Sequence, residues 1–292
     1  MQRRVIGSVL VVLVSLIPLF FGGPVFTLFM VILGIIGYRE YLQLVVQANP
    51  GGAGSYAQVG YGVLVGWGIA ALVDSTTFSL VLIAALSVCS PLILLFLRPM
   101  QPGGFSEWCF ASTGSLYLGL PIYAAIATRS RTGSIDAHWL SEAAQRLSFG
   151  WDPAPRGLAW LLTVILAVWV GDTVALFAGR AIGSRKLAPT ISPNKSQEGA
   201  LGGLLSSMAV GAVSFQLFGL GDWQLGLIAG AVIGVAGQFG DLAESVLKRQ
   251  AGVKDSGSVV PGHGGVLDRI DALLFAFPAG FLMVVGLERL GA

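Results

Sequence analysis

Nine apolar runs divide this chain, near residues 5–21, 24–38, 56–73, 78–97, 110–128, 157–178, 201–221, 224–247 and 266–287. A helix rises about 1.5 Å per residue, so about 20 apolar residues cross a bilayer core. Most of the runs are close to that length. Charge is too scarce for any other use of them. Lys and Arg number 17 and Asp and Glu 15, together 11% of 292 residues, against about 25% in a soluble domain. Mean hydropathy is +0.79. The expected fold is all-α: a polytopic integral membrane protein with about nine transmembrane helices. A soluble enzyme, a disordered chain and a nucleic-acid-binding module are excluded, and the net charge of +2 gives no general attraction for a polyanion.

Two of the runs need comment. The first follows Arg3 and Arg4 as a secretion signal would. It lacks a small-x-small cleavage site, and eight runs follow, so it is read as a span. The second is short, and is expected to stop at Arg39 and Glu40. Cys89 and Cys109 lie in or beside apolar stretches without metal-ligand spacing, and are read as small hydrophobes.

Basic residues set the orientation. With nine spans, Arg3, Arg4, Arg39, Arg98, Arg180, Arg185, Lys186, Lys195, Lys248, Arg249, Lys254 and Arg269 fall on the N-terminal side. Arg129, Arg131, Arg146, Arg156 and Arg289 fall on the other. The N-terminus and the loops after the sixth and eighth spans are therefore expected in the cytoplasm of a cell-membrane protein. The polar segment 129–156 is expected outside, with an interfacial helix over Ala137 to Leu147. His138 is read as a polar loop residue.

A single membrane domain over 1–292 is expected, and its halves differ. Residues 1–156 hold almost no acids inside spans, whereas 157–292 hold nearly all of them. Charges in spans are costly and mark function. Asp172 lies in the sixth span, Asp241 and Glu244 in the eighth, and Asp268 and Asp271 open the ninth. Asp172 and Asp241 each precede the end of their span by about six residues, or roughly 9 Å, and Asp271 follows its start by a similar distance. The sixth and eighth spans run in the same direction and the ninth runs back. Four aspartates are thus expected at one membrane level, with Ser245 and Lys248 near the Asp241 face. Oxygen ligands beside basic residues favour a hard ion such as Mg²⁺ with phosphates. The competing reading is ion pairing alone, with Asp268 or Asp271 neutralised by Arg269 or Lys248.

The flanking loops suit phosphate. Residues 180–199 carry four bases and several hydroxyls. Gly262, Gly264 and Gly265 surround His263 just before a helix start, where backbone N–H groups can approach an anion. His263 is either a general base or a loop hydrogen-bonder. Gly226, Gly230 and Gly234 repeat a small-residue spacing that serves packing within the chain or, alternatively, a homodimer face.

Ser245-Val-Leu-Lys248-Arg249, then Lys254-Asp255, then Pro261-Gly-His263-Gly264-Gly265-Val-Leu-Asp268-Arg269-Ile-Asp271 resembles the signature of phosphatidate cytidylyltransferases, the CDP-diacylglycerol synthases. Val260 is smaller than the aliphatic residue that the signature carries there. Gly171-Asp172-Thr, Gly179-Arg180, Lys186-Leu-Ala-Pro189 and Ser192-Pro193-Asn-Lys195-Ser196-Gln-Glu198-Gly199 resemble the family's upstream segments. The likeness covers about 157–292. It implies transfer of CMP from CTP to phosphatidate, giving CDP-diacylglycerol and pyrophosphate. It also implies Mg²⁺ and admits a second cation. Asp241, Asp268 and Asp271 would hold metal, with Asp172 a further candidate. Lys195, Lys248, Arg249, Lys254, His263 and Arg269 would serve catalysis on the CTP or lipid phosphates, and Ser192, Ser245, Gly262, Gly264 and Gly265 would contact substrate.

Three other readings stand beside it. A transporter or proton-coupled channel also carries intramembrane carboxylates and many glycines, but its charges need not crowd one side. An enzyme that consumes CDP-diacylglycerol would resemble a DGxxAR…GxxxDxxxD pattern, which this sequence lacks. An isoprenoid or polyprenol cytidylyltransferase or kinase differs only in the lipid acceptor or the group moved.

Overall fold

The computed structural model describes residues 15–50, 57–73, 76–97, 103–148, 154–259 and 264–290. Nine labelled helices carry most of them: α1 Gly23–Ala48, α2 Ala57–Val73, α3 Thr77–Leu97, α4 Gly104–Arg129, α5 His138–Leu147, α6 Pro155–Ile182, α7 Gln197–Phe218, α8 Trp223–Gln250 and α9 Leu267–Leu290. A further helical stretch covers 15–21. Between α6 and α7 lies an antiparallel hairpin, β1 Lys186–Ala188 and β2 Ser192–Ser196.

Seven of these helices are long and apolar enough to cross a membrane, among the described residues. The chain is a multi-pass membrane protein. The expected first span lies largely outside the described residues. The third is α2, whose 17 described residues rise about 26 Å, at the lower end of the length that crosses a bilayer core. The second is longer than expected. α1 continues through Arg39 and Glu40 for 26 residues. It can do so because Glu40 is buried with hydrogen-bond donors around it, and not stranded in lipid.

Within the described residues the packing forms two units. One gathers Met1–Pro18, Gly23–Ala127 and Leu247–Ile270; the other gathers Leu19–Gly22, Thr128–Val246 and Asp271–Ala292. The first unit buries several aromatic residues, and two of them have their polar ends satisfied within it. Trp67 donates to the Ser87 hydroxyl at 3.0 Å. Tyr123 donates to the Thr76 carbonyl at 2.9 Å.

In the second unit, α6, α7 and α8 approach closely through small residues. The Ser207 hydroxyl donates to the Ala167 carbonyl at 2.8 Å. A side chain at Gly230 would run into the Ser207 carbonyl, and one at Gly226 would sit against Gly211. The glycine series of α8 therefore serves packing against α7, inside the chain. α5 forms where an interfacial helix was expected, so His138 is its first residue and not a loop residue. α5 turns Leu140 and Ala144 inward and leaves Trp139 exposed.

Two arginines assigned to the 129–156 segment are not free surface charges. Arg129 is fully buried and donates to the carbonyls of Leu19, Phe20 and Ala154 at 2.7, 3.2 and 3.4 Å. The first two of those carbonyls end the 15–21 helical stretch, so Arg129 satisfies the orphan acceptors of a helix C-terminus. Arg131 pairs with Glu288 at 3.0 Å.

Candidate active site

In the second unit the chemistry gathers where α6 and α8 meet the hairpin. The hairpin forms because Pro189 occupies the second position of a turn closed by Ile191 N–H to the Ala188 carbonyl, 3.2 Å. Glu198, in the first turn of α7, anchors its base. Its carboxylate accepts from the Ser184 hydroxyl at 2.6 Å, the Ser184 amide at 3.1 Å and the Arg185 amide at 3.2 Å. Ser196 caps α7 by accepting from the Gly199 amide at 3.1 Å. Ser192 opens β2 opposite Ala188. The segment expected as a loop is thus a fixed arm.

That arm delivers Lys195. Its ammonium lies 2.5 Å from the Asp241 carboxylate, with the two side chains 27% and 30% exposed. Ser245, one turn further along α8, points its hydroxyl at the other Asp241 oxygen, 3.5 Å away. Asp172 on α6 lies within electrostatic reach of both Asp241 and Lys195. It borders a small cleft with Gly171, Gly203, Ser207 and Gln238. Gln238 is itself fixed by donating to the Ala200 carbonyl at 2.9 Å. Asp271 enters from α9. Its backbone passes so near Gly240 that a side chain there would strike the Asp271 carbonyl, and one Asp271 oxygen accepts from the Ala272 amide at 2.7 Å.

The first unit holds a second arrangement around Asp268. One Asp268 oxygen takes the Lys248 ammonium at 2.6 Å, with side chains only 6% and 12% exposed. The other accepts from the Ser256 amide at 2.9 Å, the Ser256 hydroxyl at 3.0 Å and the Gly265 amide at 2.8 Å. Gly264 has φ +85°, where a Cβ would fall 2.6 Å from that oxygen, so only glycine suits the turn. Arg249 donates to the Val253 carbonyl at 3.1 Å. Lys254 and Arg269 are exposed. Gly262 and His263 lie outside the described residues.

Two expectations change here. The glycine-loop amides were expected to receive a substrate anion, yet the amides of Gly265, Val266 and Leu267 already donate to Asp268 and Glu40. The four aspartates were expected as one cluster. Asp172 and Asp241 share a neighbourhood, and the Asp271 backbone adjoins it. Asp268 sits in the ion pair with Lys248 that had been the competing reading. Among the described residues, no group of three His, Cys, Asp or Glu side chains converges as a metal cage. The helix ends also shift the depths, because α6 runs to Ile182 and α8 to Gln250. Asp172 and Asp241 therefore lie about 15 and 14 Å from those ends, still matched to each other, while Asp271 is about 6 Å from the start of α9.

Mg²⁺ is commonly held by one or two carboxylates, with phosphate oxygens and waters completing the shell, not by an all-protein cage. Asp172 and Asp241 supply such a pair, all oxygen. The Lys195 ammonium already occupies a cation position against Asp241.

The sequence pattern of the Cytidylyltransferase family matches residues 2–286. The chain belongs to that family. The match extends the likeness, first seen only in the C-terminal half, over the N-terminal helices as well. This cytidylyltransferase chain is 32% identical over 288 residues to a phosphatidate cytidylyltransferase of Staphylococcus haemolyticus, covering 95% of this chain and 96% of that one. It is 31% identical over 279 residues to one from Brucella abortus, covering 94% and 90%. A 125-residue stretch is 48% identical to the Staphylococcus saprophyticus enzyme of the same name.

Glu40 was missed by sequence reasoning. In the sequence it reads as a charge ending a span. Its donors lie 216 to 227 positions away in the chain, and nothing local marks it.

Proposed function

We propose that this cytidylyltransferase moves CMP from CTP to phosphatidate, releasing pyrophosphate and leaving CDP-diacylglycerol in the membrane. The observation that carries the reading is the Lys195–Asp241 pair, with Asp172 in electrostatic reach, at the end of a family-wide match to phosphatidate cytidylyltransferases. The nucleophile is a phosphate oxygen, already ionised, so no strong base is needed. The barrier lies in bringing anions together and stabilising charge on the α-phosphate and the leaving pyrophosphate.

Each residue then has a role of its own. Lys195 is held on a fixed arm, so its ammonium is presented to phosphate oxygens with little ordering left to do. Asp241 and Asp172 would hold Mg²⁺, with Ser245 orienting Asp241. Bound magnesium supplies neutralisation of the phosphates and of the charge that develops on them. In the first unit Lys248 offers a second ammonium to phosphate, and Asp268, which holds it, would be a further ligand for metal. Both substrates can reach a site near a membrane face: CTP from water, phosphatidate with its chains still in the leaflet.

The acceptor is tested directly. Detergent-purified protein with Mg²⁺ and CTP should form a cytidylylated lipid from phosphatidate and not from a polyprenyl phosphate. Transfer to the polyprenyl phosphate alone would contradict the proposed acceptor.

The hairpin and its bases face the cytoplasm, and the 129–156 segment faces outward. Ser196 is buried as a helix cap, so the exposed neighbour Asn194 is the better probe. With Cys89 and Cys109 replaced, Asn194→Cys and Ser134→Cys should react with an impermeant thiol reagent from opposite sides. Reaction from one side for both would overturn the orientation.

A further inference from the structure

Glu40 is 2% exposed. One carboxylate oxygen accepts from the Val266 amide at 3.0 Å. The other accepts from the Leu267 amide at 2.8 Å and lies 3.1 Å from the Ser256 hydroxyl. The two amides stand at the start of α9, Val266 just before it and Leu267 its first residue, where N–H groups have no partner inside the helix and a negative charge is favoured. Glu40 therefore caps α9 from another helix. The chain makes room for it with two glycines. A Cβ at Gly257 would come within 2.6 Å of the Glu40 carboxylate, and one at Gly265 would strike both Glu40 and Ser256.

Ser256 ties this cap to Asp268. Its single hydroxyl lies 3.1 Å from Glu40 and 3.0 Å from Asp268, and its amide donates to Asp268 as well. The Gly265 amide, next to the two amides that Glu40 holds, donates to Asp268. Asp268 in turn fixes the Lys248 ammonium. A displacement of Glu40 would thus reach Asp268 through two short routes, the Ser256 hydroxyl and the 265–267 backbone.

We propose that Glu40 is a positioning residue for the reaction: through Ser256 and the 265–267 amides it sets the geometry in which Asp268 and Lys248 are presented. The inference rests on the proposed phosphate- and metal-handling roles of those two residues. It gives the N-terminal half of the chain, otherwise apolar helices, a defined part in the chemistry.

The experiment compares wild type with Glu40→Gln and Ser256→Ala, all purified in detergent and normalised for folded protein. Gln keeps the size of Glu, but cannot accept from both amides and has no charge for the helix terminus. The rate per folded molecule should fall about 10- to 100-fold in Glu40→Gln, as for other residues that orient metal-site side chains, and the Mg²⁺ concentration for half-maximal rate should rise. KM for phosphatidate should stay within about twofold, since no lipid contact is removed. Ser256→Ala should lose less, and the double variant should lose no more than Glu40→Gln, because both act along one route. Hydrogen exchange over 264–270 should quicken in Glu40→Gln while α6 and α7 keep their protection.

A wild-type rate and Mg²⁺ dependence in folded Glu40→Gln would overturn the proposal, whether or not exchange quickens. Losses that simply multiply in the double variant would also overturn it. If Glu40→Gln does not fold, Ser256→Ala decides: it should still raise the Mg²⁺ requirement, and an unchanged requirement counts against the proposal. Should wild type itself fail to transfer CMP, the functional reading fails, and unchanged exchange over 264–270 in the variants would separately refute the positioning role.

Discussion

Replacing Asp241 by asparagine should lower the rate of cytidylyl transfer by about 100-fold or more, in the range of losses seen when a group stabilising transition-state charge is removed. The substitution keeps the shape and removes the charge that Lys195 and a magnesium ion would share. It should hardly affect stability. The Lys195–Asp241 side chains are about a quarter to a third exposed, so water can solvate the ammonium left behind, at a cost of no more than about 1 kcal/mol. The expected signature is a large kinetic loss at a nearly unchanged unfolding temperature. Asp172→Asn should fall between intermediate and severe loss. Asp222, exposed in the turn before α8, is the control: Asp222→Asn should keep activity and stay within about 0.5 kcal/mol of wild-type stability. Asp74, the other acid expected to be dispensable, lies outside the described residues. Initial rate against Mg²⁺ concentration for each variant makes the comparison. Wild-type rates and Mg²⁺ dependence in Asp241→Asn would return it to a plain ion pair with Lys195.

Asp268→Asn should behave differently, although it is also an Asp-to-Asn change. Lys248 is only 12% exposed beside it. Removing the partner leaves a buried ammonium uncompensated, and breaking a buried pair in this way costs about 3–5 kcal/mol. The four donors gathered on Asp268 lose a charged acceptor at the same time. Both the activity and the unfolding temperature should therefore drop, and Lys248→Met should restore part of the stability in the double variant without restoring the rate. Thermal unfolding beside initial rates separates the two aspartates. A folded, active Asp268→Asn with an unchanged unfolding temperature would contradict both the ion-pair energetics and the proposed role.

What the sequence could and could not convey follows from the range of the interactions. The helices were legible because twenty apolar residues have one outcome in a bilayer, and α3, α4 and α6 to α9 lie where the runs predicted. The glycine spacing on α8 left two readings open, and contact with Ser207 and Gly211 selects packing within the chain. Helix ends were less legible. Arg39 and Glu40 read as a stop, because the donors that bury Glu40 come from 256 and 266–267, and no local pattern reports them. The hairpin was also hidden, since its strands are three and five residues long and held by Glu198 from the next helix. At the site, helical depth put Asp172 and Asp241 at one level, and the two lie within electrostatic reach of each other. It could not tell that the glycine-loop amides would turn to the chain's own Asp268 and Glu40, because an amide's partner depends on which acceptor the fold brings nearest.

The proposed reaction is tested most directly by following the two ends of the CTP triphosphate. Purified protein is given phosphatidate, Mg²⁺ and CTP labelled either at the α- or at the γ-phosphate. Transfer of CMP requires the α-label to enter the lipid fraction and the γ-label to leave as pyrophosphate in equal amount. The γ-label entering the lipid, with CDP released, would mean phosphoryl transfer by a lipid kinase and would contradict the cytidylyltransferase reading.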